Sequence, residues 1–160
     1  FLYAGALLGY ERSRALIGHD DDIDLGVYLG ECTTSQVPER WADYKRKLTD
    51  AGLLSKAEIE KSAAMFKITT ALPIEVDLFP AWTDQGRFSV YPYSFGELSS
   101  DVLLPLKSFG QDPLMLPADT KALLAQSYGE NWRIPDPLFH LNWWKKKQIF
   151  SELVGHDYAL

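Results

Sequence analysis

The stretch Gly18-His19-Asp20-Asp21-Asp22-Ile23-Asp24-Leu25-Gly26-Val27-Tyr28-Leu29 decides how this chain is read, because four carboxylates in five positions run directly into an apolar, β-prone segment. From Asp22 onward polar and apolar residues alternate. In a strand, Ile23, Leu25, Val27 and Leu29 share one face while Asp22, Asp24 and Gly26 share the other. Two carboxylates on one face, with Cα atoms roughly 6.5 Å apart, can ligate one hard divalent ion or bracket two. Without a cation they repel, and at least one of them titrates upward. An oxygen-only donor set suits Mg2+ or Mn2+, which keep several waters for substrate phosphates to displace. One alternative is an acidic turn that merely precedes a strand, but solvated acidic runs seldom keep strand alternation. A calcium-binding loop is another, since Asp20, Asp22, Asp24 and Glu31 fall at its positions 1, 3, 5 and 12. Its sixth position, where a sharp turn needs Gly, is Leu25, and Val27-Tyr28-Leu29 continue as a strand.

A third carboxylate arrives with a second strand, Ala71-Leu72-Pro73-Ile74-Glu75-Val76-Asp77-Leu78-Phe79-Pro80. Ile74, Val76 and Leu78 take its core face, and Glu75, Asp77 and Phe79 the other. If the two strands are neighbours in one sheet, Asp77 joins Asp22 and Asp24 in an arrangement used by many phosphoryl-transfer enzymes to hold divalent metal. Ahead of the acidic strand, Phe1-Leu2-Tyr3-Ala4-Gly5-Ala6-Leu7-Leu8-Gly9-Tyr10-Glu11-Arg12 reads as a strand end, a Gly turn and a short helix. Gly5 lets backbone N–H groups approach an anion where the helix begins, although a Gly before a helix is in itself commonplace. Arg12 is the nearest cation in sequence to the acidic block. It reaches either a donor phosphate or the surplus carboxylates Asp20 and Asp21, the second role being the expected one.

Taken together, Gly5-Ala6-Leu7-Leu8-Gly9, Arg12, Asp20-Asp21-Asp22-Ile23-Asp24 and Val76-Asp77-Leu78-Phe79-Pro80 resemble the LicD/fukutin family of the polymerase-β-like nucleotidyltransferase superfamily. Phe109-Gly110, Pro113 and Tyr128-Gly129-Glu130-Asn131-Trp132 before Pro135 resemble its tail motif, so the likeness spans about Phe1 to Pro137. The resemblance implies an α+β nucleotidyltransferase-like fold, with a small mixed β-sheet flanked by helices. It implies transfer of a phosphate-linked group, such as phosphocholine, ribitol phosphate or glycerol phosphate, from a CDP-linked donor to a glycan or polysaccharide acceptor in cell-surface glycan biosynthesis. Carried over by position, Asp22, Asp24 and Asp77 are the catalytic metal ligands for Mg2+ or Mn2+, and the donor pyrophosphate lies near Gly5, Ala6 and Arg12. One of these carboxylates, or a neighbour such as Asp20 or Glu75, takes the acceptor proton. Two departures stand out: Ala6 replaces an expected hydroxyl residue, and Gly18-His19 replaces a Pro-Trp pair. Ala6 favours the alternative, a non-catalytic glycan- or nucleotide-binding module that retains the fold. The expected location is the cytoplasm of a bacterium, with the Golgi lumen as the animal counterpart.

The remaining sequence bounds these expectations. A chain of 160 residues suits one domain over residues 1–160, and its start at Phe1 rather than Met is compatible with excerpting from a longer chain. A net charge of −6 argues against a nucleic-acid partner, since neutralising phosphates takes an excess of Lys and Arg. Neither a signal peptide nor an apolar run of transmembrane length is recognisable. The single Cys32 permits no internal disulfide and reads as a small strand-end hydrophobe. Pro38 to Leu48 reads as a helix capped near Gly52, burying Trp41, Tyr44 and Leu48, and Ala64 to Thr70 as a strand pairing with 74–79. That pairing turns Lys67 to the polar side, where it can meet donor phosphate. Further on, a strand is expected near Val102 to Phe109, a helix from Ala118 to Tyr128 ended by Gly129, and a helix from Pro137 to Val154 ended by Gly155. Tyr128 and Trp132 read as packing, with stacking on a base or sugar as the alternative. Lys145-Lys146-Lys147 reads as a solvated helix face, with attraction of an anionic acceptor as its alternative.

Overall fold

A computed structural model describes residues 1–18, 20–60, 64–70, 74–109 and 112–154. The first half runs α1 (Ala4–Ser13), β1 (Asp22–Glu31), α2 (Val37–Asp50), α3 (Lys56–Glu60), β2 (Phe66–Thr69) and β3 (Glu75–Asp84). The second half runs β4 (Arg87–Val90), β5 (Ser94–Ser99), β6 (Lys107–Phe109), β7 (Asp112–Leu116), α4 (Thr120–Tyr128), α5 (Trp143–Ile149) and α6 (Ser151–Val154). The fold is α+β, a small mixed sheet flanked by helices.

Strand β3 is the hub of the main sheet. It pairs in parallel with β1 on one edge, and antiparallel with β2 and then β4 on the other, while β5 extends the sheet beyond β4. Pro80 explains why one strand takes two partners along a single edge. Lacking an N–H it cannot donate to a ladder, and pairing with β2 stops at Leu78 while pairing with β4 starts at Ala81. The sequence suggested that this strand ends at Pro80; it continues to Asp84, because Ala81, Trp82 and Thr83 are buried on both faces. Its expected start at Ala71-Leu72-Pro73 lies outside the described residues, as do His19, Gly110 and Gly155.

Alternation along β3 divides the interior in two. Leu78 joins Phe66, Trp41, Leu48 and Leu54 beneath α2, with Trp41 stacked on Phe66 at 4.6 Å. Phe79, on the opposite face, joins the larger cluster that contains Tyr3, Leu7, Trp82, Phe88, Leu123 and Phe150 beneath α1 and α4. Helix α2 buries Trp41 and Leu48 as expected, whereas Tyr44, stacked on Trp41, is only half-buried; the helix cap is Ala51, with Gly52 one residue beyond it at φ +68. Cys32 is a buried free thiol just past β1.

Several expectations need correcting. The segment 87–99 carries the antiparallel pair β4–β5, unpredicted because the strands are short, bulged at Phe88/Ser89 and interrupted by Gly96 at φ +76. Helix α3 was likewise unpredicted. The strand expected over 102–109 is a 3-10 turn at Ser100–Val102 followed later by β6. The long helix expected from Pro137 does not form. Asp136 accepts from the Leu138 N–H in a local turn, and Asn142 caps a helix that starts at Trp143 by accepting from Lys145 N–H. No helix among the described residues is long and apolar enough to cross a membrane.

Candidate metal and transfer site

The parallel register pairs Asp22 with Glu75 and Asp24 with Asp77. Residues paired across strands project to the same side, so all four carboxylates stand on one face. The antiparallel register of β2 adds Lys67 opposite Asp77. Asp22, Asp24 and Asp77 each bring a carboxylate oxygen to within 4.8 Å of the others. Strand alternation alone implied the first pair; the third member depends on strand order and register.

Each acid has a distinct neighbourhood. The segment Phe1–Tyr3 pairs with β1 through Leu2 and Leu25, and the chain then turns into α1 beside Asp24. Tyr3 is extended at φ −142 and Ala4 has φ +39, a left-handed value at the entry to the helix. The expected Gly turn is therefore displaced. Gly5 lies inside the first turn of α1, and its N–H donates to Asp24 Oδ2 at 2.7 Å. The helix N-terminus does receive an anion, but that anion is Asp24. A Cβ at Gly5 would stand 3.0 Å from both Asp20 Oδ2 and Asp24 Oδ2, so the two carboxylates close over the bare Cα. Ala6 is 2% exposed and belongs to the apolar cluster beneath α1.

Burial pushes the Asp24 carboxyl up to about 7, and the charges of Asp22 and Asp77 add to the rise; the Gly5 and Ala6 N–H groups pull the other way. Asp77 is only 5% exposed. Its carboxyl is also raised, first by burial and then by Asp22 and Glu75, against the pull of Lys67. Lys67 Nζ donates to Glu75 Oε2 at 2.8 Å and lies 3.1 Å from Asp77 Oδ1. The second contact is an ion pair without hydrogen-bond geometry, since Asp77 Oδ1 is a buried oxygen with no hydrogen bond. Burial works against the Lys67 charge, but the two carboxylates outweigh it and raise its pKa. Lys67 thus faces the polar side as expected, with the site's own acids as its partners.

Arg12 departs furthest from its expected partners. Its guanidinium donates to the Trp132 carbonyl, from Nε at 2.9 Å and also from Nη2, and to the Ile134 carbonyl at 3.2 Å. It fastens the chain after α4 to α1. Beside Gly5 and Asp20 opens a cavity of about 1000 Å3, walled by Tyr93, Tyr128, Asn131 and Phe139. Trp132 is buried in the core, as the packing reading required, and Tyr128 packs on Tyr93, while both also contribute to the lining of this cavity. Sequence reasoning missed Tyr93 and Phe139, which carry no motif and reach the cavity through tertiary packing. Another hollow, of about 880 Å3, lies along α2, away from the acids. Its charges largely satisfy each other, Asp43 meeting both Arg46 and Lys47.

The three acids fit a hard divalent cation on the structure's own terms: crowded oxygens, a buried Asp77 Oδ1 with only the Lys67 ammonium beside it, and the raised carboxyls of Asp24 and Asp77, which a cation would favour in the ionised form. No curated protein matches the chain. A family model does, that of the LicD/FKTN/FKRP nucleotidyltransferase domain, over residues 1–119. That span contains α1, both acidic strands and Lys67, and stops before the Tyr128–Trp132 motif. Since it covers most of the chain and every acid of the cluster, the chain belongs to the LicD/FKTN/FKRP family.

Proposed function

We propose that this chain moves a phosphate-linked group, such as phosphocholine, ribitol phosphate or glycerol phosphate, from a CDP-linked donor to a sugar hydroxyl. The family suggests the coarser activity, transfer of phosphate-linked groups in glycan biosynthesis with general dependence on divalent metal. The observation that carries the finer reading is the convergence of Asp22, Asp24 and Asp77 within 4.8 Å, beside a cavity large enough for a nucleotide-linked substrate. Mg2+ or Mn2+ held by these three would neutralise the donor pyrophosphate and the charge on its leaving group.

The protein's own groups do the rest. The Gly5 N–H fixes the direction of Asp24 Oδ2, and Lys67 steadies Asp77 and Glu75 between two strands. Arg12 acts by positioning, because the wall of the cavity hangs on its bonds to Trp132 and Ile134. Of the carboxylates that could take the acceptor proton, Asp22, Asp24, Asp77, Asp20 and Glu75, Asp20 lines the cavity. In this reading the acceptor oxygen attacks phosphorus as Asp20 takes its proton, and the bond from phosphorus to the CMP leaving group breaks in line. The rival, a binding module without turnover, rested on Ala6. Its methyl is in the core, so a missing hydroxyl there removes nothing from the cavity wall.

Release of CMP from CDP-choline, CDP-ribitol and CDP-glycerol, measured with Mg2+ or Mn2+ and a panel of sugar acceptors, tests the reaction. Metal-dependent CMP release that falls in Asp20→Asn is the expected result. Tight binding of CDP donors without turnover under any of these conditions would favour the module, and preference for ATP or GTP would overturn the donor.

A further inference from the structure

The transfer reaction makes no use of the solvent-facing side of residues 133–147, a segment that borders the cavity. Here Leu138, Trp144 and Ile134 are 83%, 71% and 68% exposed, and Phe139 and Trp143 also meet solvent. Large apolar residues exposed singly are ordinary, but five concentrated between Ile134 and Trp144 in one segment call for a partner. The same segment inverts the charge of the chain. Arg133, Lys145, Lys146 and Lys147 against Asp136 give it a formal +3, while all other residues together carry −9.

The segment is fastened to the body. The Phe139 ring lies 5.0 Å from Tyr128, Tyr128 lies 5.4 Å from Tyr93, and Lys146 Nζ donates to the Tyr93 carbonyl at 3.1 Å. Trp143 meets Tyr91 at 6.4 Å. These contacts draw Phe139, Lys146 and one side of Trp143 inward and leave Leu138, Trp144 and Lys145 exposed. Tryptophan beside lysine on an apolar patch is chemistry suited to the headgroup level of a bilayer. The indole sits between polar and apolar layers, and the ammonium stays in water near lipid phosphate.

We propose that residues 133–147 form a docking surface for an anionic membrane, with Trp144 and Leu138 entering the headgroup region and the lysines supplying attraction. Ile134, Asp136 and Phe139 belong to both this segment and the cavity wall. Resting on the transferase reading, this adjacency further implies that the acceptor reaches the cavity from the membrane surface; the docking itself does not depend on that reading.

Co-sedimentation with vesicles of phosphatidylcholine alone, or with roughly one-third phosphatidylglycerol added, tests it at about 0.1 M salt and again at about 1 M. The expected result is binding to the anionic vesicles only, weakened at high salt. Leu138→Ser with Trp144→Ser should lower the partition coefficient more than about tenfold, and Lys145→Glu about fivefold or more, with the far-UV spectrum and the Mg2+-induced melting shift unchanged. Wild-type protein that stays in the supernatant with anionic vesicles overturns the proposal, as does a double variant that binds like wild type. Concentration-dependent self-association that Trp144→Ser abolishes, without vesicle binding, would reassign the patch to a second copy of the chain. Docking without CMP release breaks the transferase reading alone, and CMP release without docking breaks this proposal alone.

Discussion

The acidic face and the segment after α4 are neighbours built on different principles. The face is made by register: once β1 lies parallel to β3, Asp22, Asp24, Glu75 and Asp77 must share a side, and β2 adds Lys67 to it. The segment 129–142 has no ladder. Besides short turn bonds such as Trp132 N–H to the Gly129 carbonyl and the burial of Trp132, it is held by side-chain groups on main-chain atoms, Arg12 on two carbonyls, Asp136 on the Leu138 N–H and Asn142 on the Lys145 N–H. Periodic backbone places chemistry with little conformational choice, whereas the irregular chain that completes the cavity depends on single side chains. Perturbing the first should alter what the protein binds. Perturbing the second should alter how firmly it is folded.

The strongest test of this contrast is Asp24→Asn. We expect it to abolish the metal-induced rise in melting temperature and to lower CMP release by at least about a thousandfold. Without metal its melting temperature should stay level or rise, because one of three crowded acids is neutralised while Asn still accepts from the Gly5 N–H. A metal response equal to wild type would remove Asp24 from the site.

Arg12→Ala should show the opposite pattern, a loss of about 2 kcal/mol in stability, chiefly from the stranded, partly buried Trp132 carbonyl, with the metal response intact. Arg12→Lys should recover little of it, since an ammonium cannot reproduce the planar fork. Denaturant melts of both variants decide the point, and a wild-type midpoint in Arg12→Ala would show that the segment is held by other means.

Lys67→Met separates metal affinity from stability within the acidic face itself. Stability in the absence of metal should fall by about 1 kcal/mol, a figure kept small because Lys67 is about a third exposed and its ion pairs are screened. Metal affinity should rise, because the cation competing for Asp77 and Glu75 is gone. Calorimetric titration with Mn2+ reads the sign directly, and weaker binding would mean that Lys67 supports the ligand geometry.

Tyr28→Phe gives the smallest effect. It removes the 2.8 Å hydrogen bond to Thr83 that ties β1 to β3 beyond the acids, at a cost of about 1 kcal/mol or less and with no change in metal response.

The same contrast explains what was legible in the sequence. Asp22 and Asp24 were readable because alternation is a local property, and Asp77 because its strand alternates too. Their meeting was conditional on strand adjacency, which no local pattern encodes. Pro80 looked like an end and proved to be an exchange of partners, a role visible only once β2 and β4 are both in place. Arg12 was noticed for its charge, but its partners at Trp132 and Ile134 are main-chain atoms 120 and 122 residues away, and carbonyls leave no mark in a sequence. Tyr93 and Phe139 escaped notice for a similar reason.

The parallel register also sets a timetable. Parallel neighbours cannot be joined by a hairpin, and here the crossover from Asp24 to Asp77 contains α2, α3 and β2. Closing so long a loop carries an entropic cost that is met before the pairing rewards it, so the acids converge late in folding. A chain still growing past Thr70 carries Asp22 and Asp24 but not yet Asp77, and its hold on a cation should be that of any exposed acidic run. On the proposed reading, competence to bind metal would be a property of the finished sheet and not of the acidic run alone.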